Sequence, residues 1–198
     1  ELGLYGGEVV ETVTPTVNLY LGAPVLENDN IKIEVFMSGN NAEMSAINYK
    51  VYSVEKLTPV TVESGTVSDS YVDGTENVPI TFDAQGTKFE NPEDFDGYTG
   101  FQILNESYCE ATLASGIKTA EGKIAEVYFA APDTPGTYTF KLVGISGAAF
   151  VENATDVQDY VITVGEDVAC NYVPTASHSA EQKTYRDYTT YGENLLKY

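Results

Sequence analysis

Residue types that could carry enzymatic chemistry are present in this chain, but their spacing matches no catalytic motif. The single histidine, His178, lies in a serine-rich segment, and no Gly-x-Ser-x-Gly elbow, phosphate-binding glycine loop or His-x-x-x-His pair occurs. Glycoside hydrolysis needs two carboxyl groups held roughly 5–10 Å apart across a cleft, and nothing selects two of the 30 acidic residues. We therefore expect a protein that is not an enzyme.

Any metal site would have to use oxygen ligands, because the chain has two cysteines and one histidine. Calcium prefers such hard ligands. Two acidic turns, Glu27–Asn30 and Glu93–Gly97, contain suitable oxygens, and Asp94 and Asp96 of the second turn are the candidate ligands. Neither turn completes an EF-hand loop with its terminal glutamate. We therefore expect no cofactor, with calcium as the ion that the composition allows.

The two cysteines, Cys109 and Cys170, are too far apart in sequence for a C-x-x-C redox or zinc motif. Cys109 falls at an inward-facing position of a predicted strand. Two interpretations follow: Cys109 is a small buried thiol, or it forms a disulfide with Cys170. The sequence leaves both open.

Aromatic residues are the most suggestive chemical feature, because the chain has 15 tyrosines, 8 phenylalanines and no tryptophan. Tyrosine joins an apolar ring to a hydroxyl group, which suits both protein interfaces and sugar stacking. It also forms strands readily, which explains most of the tyrosines. The better functional candidates lie at predicted strand edges or on polar faces: Tyr20, Tyr52, Tyr71, Tyr98 and Tyr108.

These residues must be positioned by β-strands, since hydrophobic alternation is the strongest structural signal. It is clearest between Gly122 and Gly144, where two alternating segments flank a Pro-Asp-Thr-Pro-Gly turn and Tyr138, Phe140 and Leu142 share one side. The predicted strands are Val17–Leu21, Ile31–Met37, Ile47–Ser53, Val60–Glu63, Val78–Phe82, Gly100–Leu104, Tyr108–Ala114, Lys123–Ala130, Thr137–Ile145 and Asp159–Val164. Short strands separated by Gly, Asn, Asp and Pro predict an all-β fold, an antiparallel sandwich of jelly-roll type with about nine strands.

The composition divides the chain into three parts. Residues 1–15 are an irregular lead-in, residues 16–168 form the predicted sandwich, and residues 169–198 are a tyrosine-rich extension. The extension is either a short C-terminal helix, with Ser179 and Gln182 as a capping pair, or a linker. Asn105-Glu-Ser and Asn153-Ala-Thr match the N-glycosylation pattern, as chance alone would produce in such a chain.

A net charge of -20 limits the classes of partner. Such a surface repels phosphate backbones and anionic lipid, so we expect neither nucleic-acid binding nor membrane attachment. It is compatible with a cationic partner, calcium or neutral polysaccharide, and mutual repulsion favours a monomer. No apolar run approaches the roughly 20 residues that cross a bilayer. The acidity and the all-β, Tyr- and Thr-rich character predict an extracellular or cell-surface protein.

Three segments in order, Ile31–Val60, Phe95–Gly116 and Gly122–Gly165, resemble a cohesin, the scaffoldin module that captures dockerins in cellulosome-type assemblies. The first contains a strand, a glycine-containing loop and a second strand, with Leu57 five residues after Tyr52. The second is similar to the paired middle strands of a cohesin, and the third to its last three strands. The likeness is to a divergent, ruminococcal-type cohesin or a related cohesin-like sandwich.

The resemblance implies a nine-stranded jelly roll that presents one flat sheet face to a two-helix dockerin. The residues of this sequence that would form that face are Asn48, Lys50, Tyr52, Gln102, Tyr108, Glu110, Thr112, Thr139 and Lys141. The same polar side chains are also what an ordinary solvated sheet face would carry. We therefore expect a non-catalytic module that binds a dockerin-type protein. The alternatives are a carbohydrate-binding module that recognises plant polysaccharide through tyrosines, and a structural or adhesive domain of a bacterial surface protein.

Overall fold

The computed structural model describes residues 16–91, 93, 95–110, 116–145, 152–155 and 159–165, which form an all-β sandwich without an α-helix. The predicted fold class is thus confirmed, with twelve strands where about nine were expected. In chain order the strands are β1 (Thr16–Leu21), β2 (Val25–Glu27), β3 (Asn30–Ser38), β4 (Ala46–Ser53), β5 (Pro59–Ser64), β6 (Ser68–Asp73), β7 (Glu76–Phe89), β8 (Thr99–Cys109), β9 (Gly122–Ala130), β10 (Gly136–Ile145), β11 (Glu152–Thr155) and β12 (Tyr160–Val164).

The strands form two packed sheets. The back sheet has the order β11-β1-β3-β9-β5, with β2 also paired to β3, and the front sheet has the order β12-β10-β4-β8-β7-β6. The β4–β8 pair of the front sheet is nested, along the chain, inside the β3–β9 pair of the back sheet. Such nesting is what results when one antiparallel ribbon rolls onto itself, as in a jelly roll. Among the described ladders, β1–β11 alone is parallel.

The core follows the predicted alternation. On β4 the side chains of Ile47, Tyr49 and Val51 are buried, and the intervening residues point outward. Phe129 of the back sheet packs between two rings of the front sheet, with its centroid 5.8 Å from Phe101 and 5.1 Å from Phe140. Aromatic rings therefore supply much of the apolar area buried between the sheets.

One prediction about the middle of the chain is wrong. The segments Gly100–Leu104 and Tyr108–Ala114 were predicted as two strands, but β8 is continuous from Thr99 to Cys109. Residues 111–115 lie outside the described part of the chain. Asn105 lies between the two predicted strands, whereas in the structure it is within β8 and its side chain points into the core.

Asn105 links the two sheets by buried hydrogen bonds. Its Oδ1 accepts from the Tyr49 hydroxyl at 2.8 Å, and its Nδ2 donates to the Ile124 carbonyl oxygen of the back sheet at 2.8 Å and to the Phe82 carbonyl oxygen at 3.4 Å. These contacts satisfy a polar group that would otherwise be costly to bury. Because Asn105 is fully buried, its glycosylation pattern is inaccessible in the folded protein.

A β-bulge in β9 frees the Ile124 carbonyl, to which Asn105 donates, from the β3–β9 ladder. The register with β3 shifts between Val35 and Phe36, so Ile124 is the extra residue of the β9 strand. The Ile124 carbonyl oxygen also accepts from Gly65 N at 3.0 Å, at the end of β5. A bulge of this kind frees backbone groups from the ladder for other partners.

The β6–β7 hairpin was the least predictable element. A strand was expected over Val78–Phe82 only, but β7 continues through Phe89, and β6 was not predicted. Asp83, Gln85 and Gly86 lie within β7, and such residues disfavour strands by propensity. Pairing with β8 along ten residues overrides that preference.

The chain divides into two units, residues 1–164 and 165–198. The predicted lead-in, the tyrosine-rich extension, Cys170 and His178 lie outside the described residues. Within the described ranges there is no helix long and apolar enough to cross a membrane.

Candidate functional site

The outward side of the front sheet, here called the front face, contains most of the residues that the sequence singled out. Asn48, Lys50 and Tyr52 point outward from β4. Lys50 stands opposite Gln102 of β8, and Tyr52 stands opposite Lys141 of β10. Thr139 is on the same side of β10, two residues before Lys141. The adjacent strands β10, β4 and β8 therefore present these residues on one continuous surface.

Two predicted residues lie at the far end of that surface. Tyr108 is on β8, six residues after Gln102, a separation of about 20 Å along an extended strand. Glu110 follows directly after β8 and is exposed. Thr112 lies outside the described residues. The candidate residues thus share one face without forming one compact patch, because β8 is a single long strand and not two paired ones.

Tyr52 is outward-facing but covered, with 8% of its surface exposed. The segment between β7 and β8 folds over it, and the resulting group of Tyr52, Phe89, Phe95 and Tyr98 is here called the aromatic cap. The Tyr52 ring centroid lies 4.8 Å from Tyr98 and 5.2 Å from Phe95, and Phe95 lies 5.2 Å from Phe89. Burial raises the pKa of Tyr52. Tyr52 therefore stabilises the cap, and it is a poor candidate for an interface anchor.

Gly100 explains why the cap forms at this place. It stands on β8 between Phe89 and Tyr52 of the neighbouring strands. A Cβ atom at Gly100 would lie 2.7 Å from Tyr52 Cα, closer than normal packing allows. Aromatic rings from both neighbours and from the connecting segment cover the site of the missing side chain.

Both front-face lysines are engaged within the protein. The Lys50 Nζ lies 3.8 Å from the Phe95 ring centroid, a cation–π contact with the cap. The Lys141 Nζ lies 3.0 Å from Asp159 Oδ1, and this hydrogen bond raises the pKa of Lys141. The aromatic side chain that stays open on this face is Tyr108, which is 57% exposed, and Val143 and Val161 are exposed near Thr139.

The outward side of the back sheet, here called the back face, carries an ion-pair network that the sequence did not single out. Lys123 Nζ contacts Glu126 and lies 3.0 Å from Glu34 Oε1. The Tyr128 hydroxyl donates to Glu126 Oε2 at 2.8 Å. Alternation of Glu126 and Tyr128 with buried residues of β9 was the signal that could have revealed it.

Replacing Glu126 with glutamine is expected to reduce stability at neutral pH more than at acidic pH. Hydrogen bonds from Lys123 and Tyr128 lower the pKa of Glu126 below its ordinary value of 4.5. The ionised carboxylate therefore stabilises the fold above that value, and the stabilisation is lost as the pH falls through the lowered pKa. Urea unfolding of both proteins at pH 7 and pH 3 measures the difference.

The matched control is Glu63→Gln, because Glu63 is an exposed residue directly opposite Glu126 on β5. Its loss of stability at pH 7 should be smaller than that of the Glu126 variant. A Glu126→Gln protein that matches the parent at both pH values would contradict the role of this network.

The remaining candidates do not converge on a site. Tyr71 is on the β6 edge, remote from the front-face tyrosines. Asp96 is exposed at a positive φ of 43°, Asp94 is outside the described residues, and no group of three or more potential metal ligands occurs in the part of the chain that can be examined. Cys109 is buried as a free thiol, while the pairing with Cys170 involves a residue outside the described ranges.

No protein-family model matches the chain. No curated protein matches it in sequence.

Proposed function

We propose that this chain is a non-catalytic extracellular binding module, cohesin-like in architecture, that docks a dockerin-type protein on the front face. The observation that carries the proposal is the face itself: a mixed polar surface across adjacent antiparallel strands, with the open Tyr108 at one end and the exposed Val143 and Val161 toward the other. Interface cores combine aromatic and aliphatic residues with hydrogen-bonding groups in this way. The face is wide enough for an interface of about 800 Å² per partner.

The three segments that resemble a cohesin support the proposal by their position in the fold. They supply β3 and β4, then β8, then β9 to β12, which include the central strands of both sheets. Two parts of the chain have no cohesin counterpart. Val62–Glu93 contributes the end of β5 and the β6–β7 hairpin, and the tyrosine-rich C-terminal extension lies outside the described residues. The resemblance therefore covers most of the described framework.

Of the two predicted interface tyrosines, Tyr52 and Tyr108, the second is the better aromatic anchor. Tyr52 is covered by the cap, and Tyr98 is half-buried against it. Large exposed aromatic residues dominate the energy of most protein interfaces. Among the described residues of the front face there is no row of open tyrosines, so the geometry of this part of the surface favours a protein over a polysaccharide.

The proposal is tested by biolayer interferometry against a panel of purified dockerin modules, with added calcium or EDTA. We expect at least one dockerin to bind in calcium and to be released by EDTA, because dockerins carry their own calcium. Tyr108→Ala should weaken that complex about 30-fold, the effect of an interface residue worth about 2 kcal/mol. The Kd of each variant is the readout.

Tyr71→Ala serves as the matched control, because Tyr71 is an exposed tyrosine that stands opposite Val78, on the inward side of the front sheet, and should leave the Kd unchanged. Binding by no dockerin in the panel would refute the proposal and favour the structural or adhesive alternative. Equal losses from the Tyr71 and Tyr108 variants would place the contact elsewhere on the molecule.

A further inference from the structure

The back face carries three outward aromatic rings on adjacent strands. Tyr20 of β1 stands directly opposite Phe36 of β3, with ring centroids 5.4 Å apart and planes inclined by 14°. Tyr128 of β9 stands opposite Lys32, four residues along β3 from Phe36. The Tyr20–Phe36 pair and Tyr128 are therefore about 14 Å apart along the strand direction. Tyr20 is 39% exposed, so part of its ring is open to a ligand.

Polar side chains lie between the Tyr20–Phe36 pair and Tyr128. Glu34 and Glu126 stand directly opposite one another on β3 and β9, and Glu63 of β5 continues the row. The Lys123 ammonium donates to both Glu34 and Glu126, and the Tyr128 hydroxyl donates to the other carboxylate oxygen of Glu126. The carboxylates are thus fixed in orientation, which lowers the entropic cost of binding a ligand to them.

We propose that the back face binds a neutral polysaccharide chain, with Tyr20 as the stacking platform at one end and Tyr128 near the other. A sugar ring offers an apolar face that packs on an aromatic ring, and hydroxyl groups that both donate and accept hydrogen bonds. Carboxylates accept from such hydroxyls, and the Lys123 ammonium donates to them. The distance between the Tyr20–Phe36 pair and Tyr128 accommodates a few sugar units.

The charge of the face selects the class of ligand. Four glutamates, Glu27, Glu34, Glu63 and Glu126, accompany two lysines, Lys32 and Lys123, and these lysines are paired with carboxylates. The rest of the chain adds to the negative field, since the net charge is -20. Uronic acids and sulfated sugars would be repelled. A neutral chain needs no counter-charge, because its hydroxyl groups donate to the carboxylates and accept from the lysines.

The experiment is native affinity electrophoresis of the full chain in gels that contain xyloglucan, mixed-linkage β-glucan, arabinoxylan, galactomannan, starch or, as the anionic comparison, polygalacturonate. We expect retardation by at least one neutral polysaccharide and none by polygalacturonate. Tyr20→Ala should weaken the apparent affinity about tenfold or more, whereas Tyr20→Phe, which keeps the ring, should retain most of it. Near-UV circular dichroism of each variant verifies that it is folded.

Tyr71→Ala is the matched control, because Tyr71 lies on β6 of the other sheet and is 39% exposed, as Tyr20 is, and the variant should bind polysaccharide like the parent. Absence of retardation in every neutral gel would overturn the proposal, as would preferential binding to polygalacturonate. A loss caused by Tyr108→Ala and not by Tyr20→Ala would move the sugar site to the front face. Dockerin binding is measured separately, so failure of either proposal leaves the other intact.

Discussion

Replacing Asn105 with alanine is expected to lower the free energy of unfolding by about 3 kcal/mol. The substitution removes the acceptor of the buried Tyr49 hydroxyl and the donor to the Ile124 carbonyl. It also leaves a cavity between the sheets, where neighbouring side chains relax only in part. Urea unfolding followed by far-UV circular dichroism measures the change, since the chain has no tryptophan for fluorescence.

Two other variants separate the causes of that loss. Tyr49→Phe removes the hydroxyl alone, and the expected cost is about 1 kcal/mol, because Asn105 keeps its two carbonyl partners. Gln102→Ala, at an exposed position of the same strand, should change stability by less than about 0.5 kcal/mol. If Asn105→Ala proved no more costly than Gln102→Ala, the polar link between the sheets would contribute nothing measurable.

Asn105 also marks the limit of what the sequence could predict. Alternation correctly assigned the two sides of β4 and β10, because each of those strands buries one side and exposes the other. In β8 the same rule would have required a polar residue to point into the core. The asparagine is acceptable there because partners from β4 and β9 satisfy it, and those partners are distant in sequence. Local pattern alone carries no information about them.

The aromatic cap was unpredictable for a related reason. Phe95 and Tyr98 lie in a segment without periodicity, so the sequence indicated a turn and an acidic metal candidate. The structure uses the same turn to place two rings over Tyr52 and beside Lys50. Which outward residues are open depends on this covering segment, and that is why the sequence could assign Tyr52 to the outward side of β4 but could not predict that it is covered.

The two faces of the sandwich differ in how their charges are arranged. On the front face the lysines are engaged at the capped end, and the opposite end holds Tyr108 with exposed acidic residues. On the back face Lys32 and Lys123 are paired with glutamates, and the carboxylates outnumber the two lysines. A protein partner with its own charges suits the first arrangement, and an uncharged ligand that forms many hydrogen bonds suits the second. The two proposals therefore assign different ligands to different surfaces.

Replacing Gly65 with alanine is expected to cost about 4 kcal/mol or to prevent folding. Gly65 follows β5, where the chain crosses over the bulge of β9. A Cβ atom there would lie 2.5 Å from the Lys123 carbonyl carbon and 2.6 Å from the Ile124 carbonyl carbon. Both neighbours are backbone atoms, so no side-chain rotation can relieve the overlap. The thermal midpoint and the soluble yield of the variant are the measurements.

The control for Gly65 is Gly74→Ala in the β6–β7 turn. A Cβ atom at Gly74 would meet nothing within 4 Å, but the residue has a φ of +63°, so alanine should cost only about 1 kcal/mol. The contrast separates steric exclusion from backbone preference.

Gly65 N and Asn105 Nδ2 donate to the same Ile124 carbonyl, so the Gly65→Ala and Asn105→Ala substitutions act at one junction. Their combined cost should therefore be smaller than the sum, because either change alone already disturbs the bulge that joins the sheets. Strict additivity would instead mean that the glycine and the asparagine stabilise the sandwich independently.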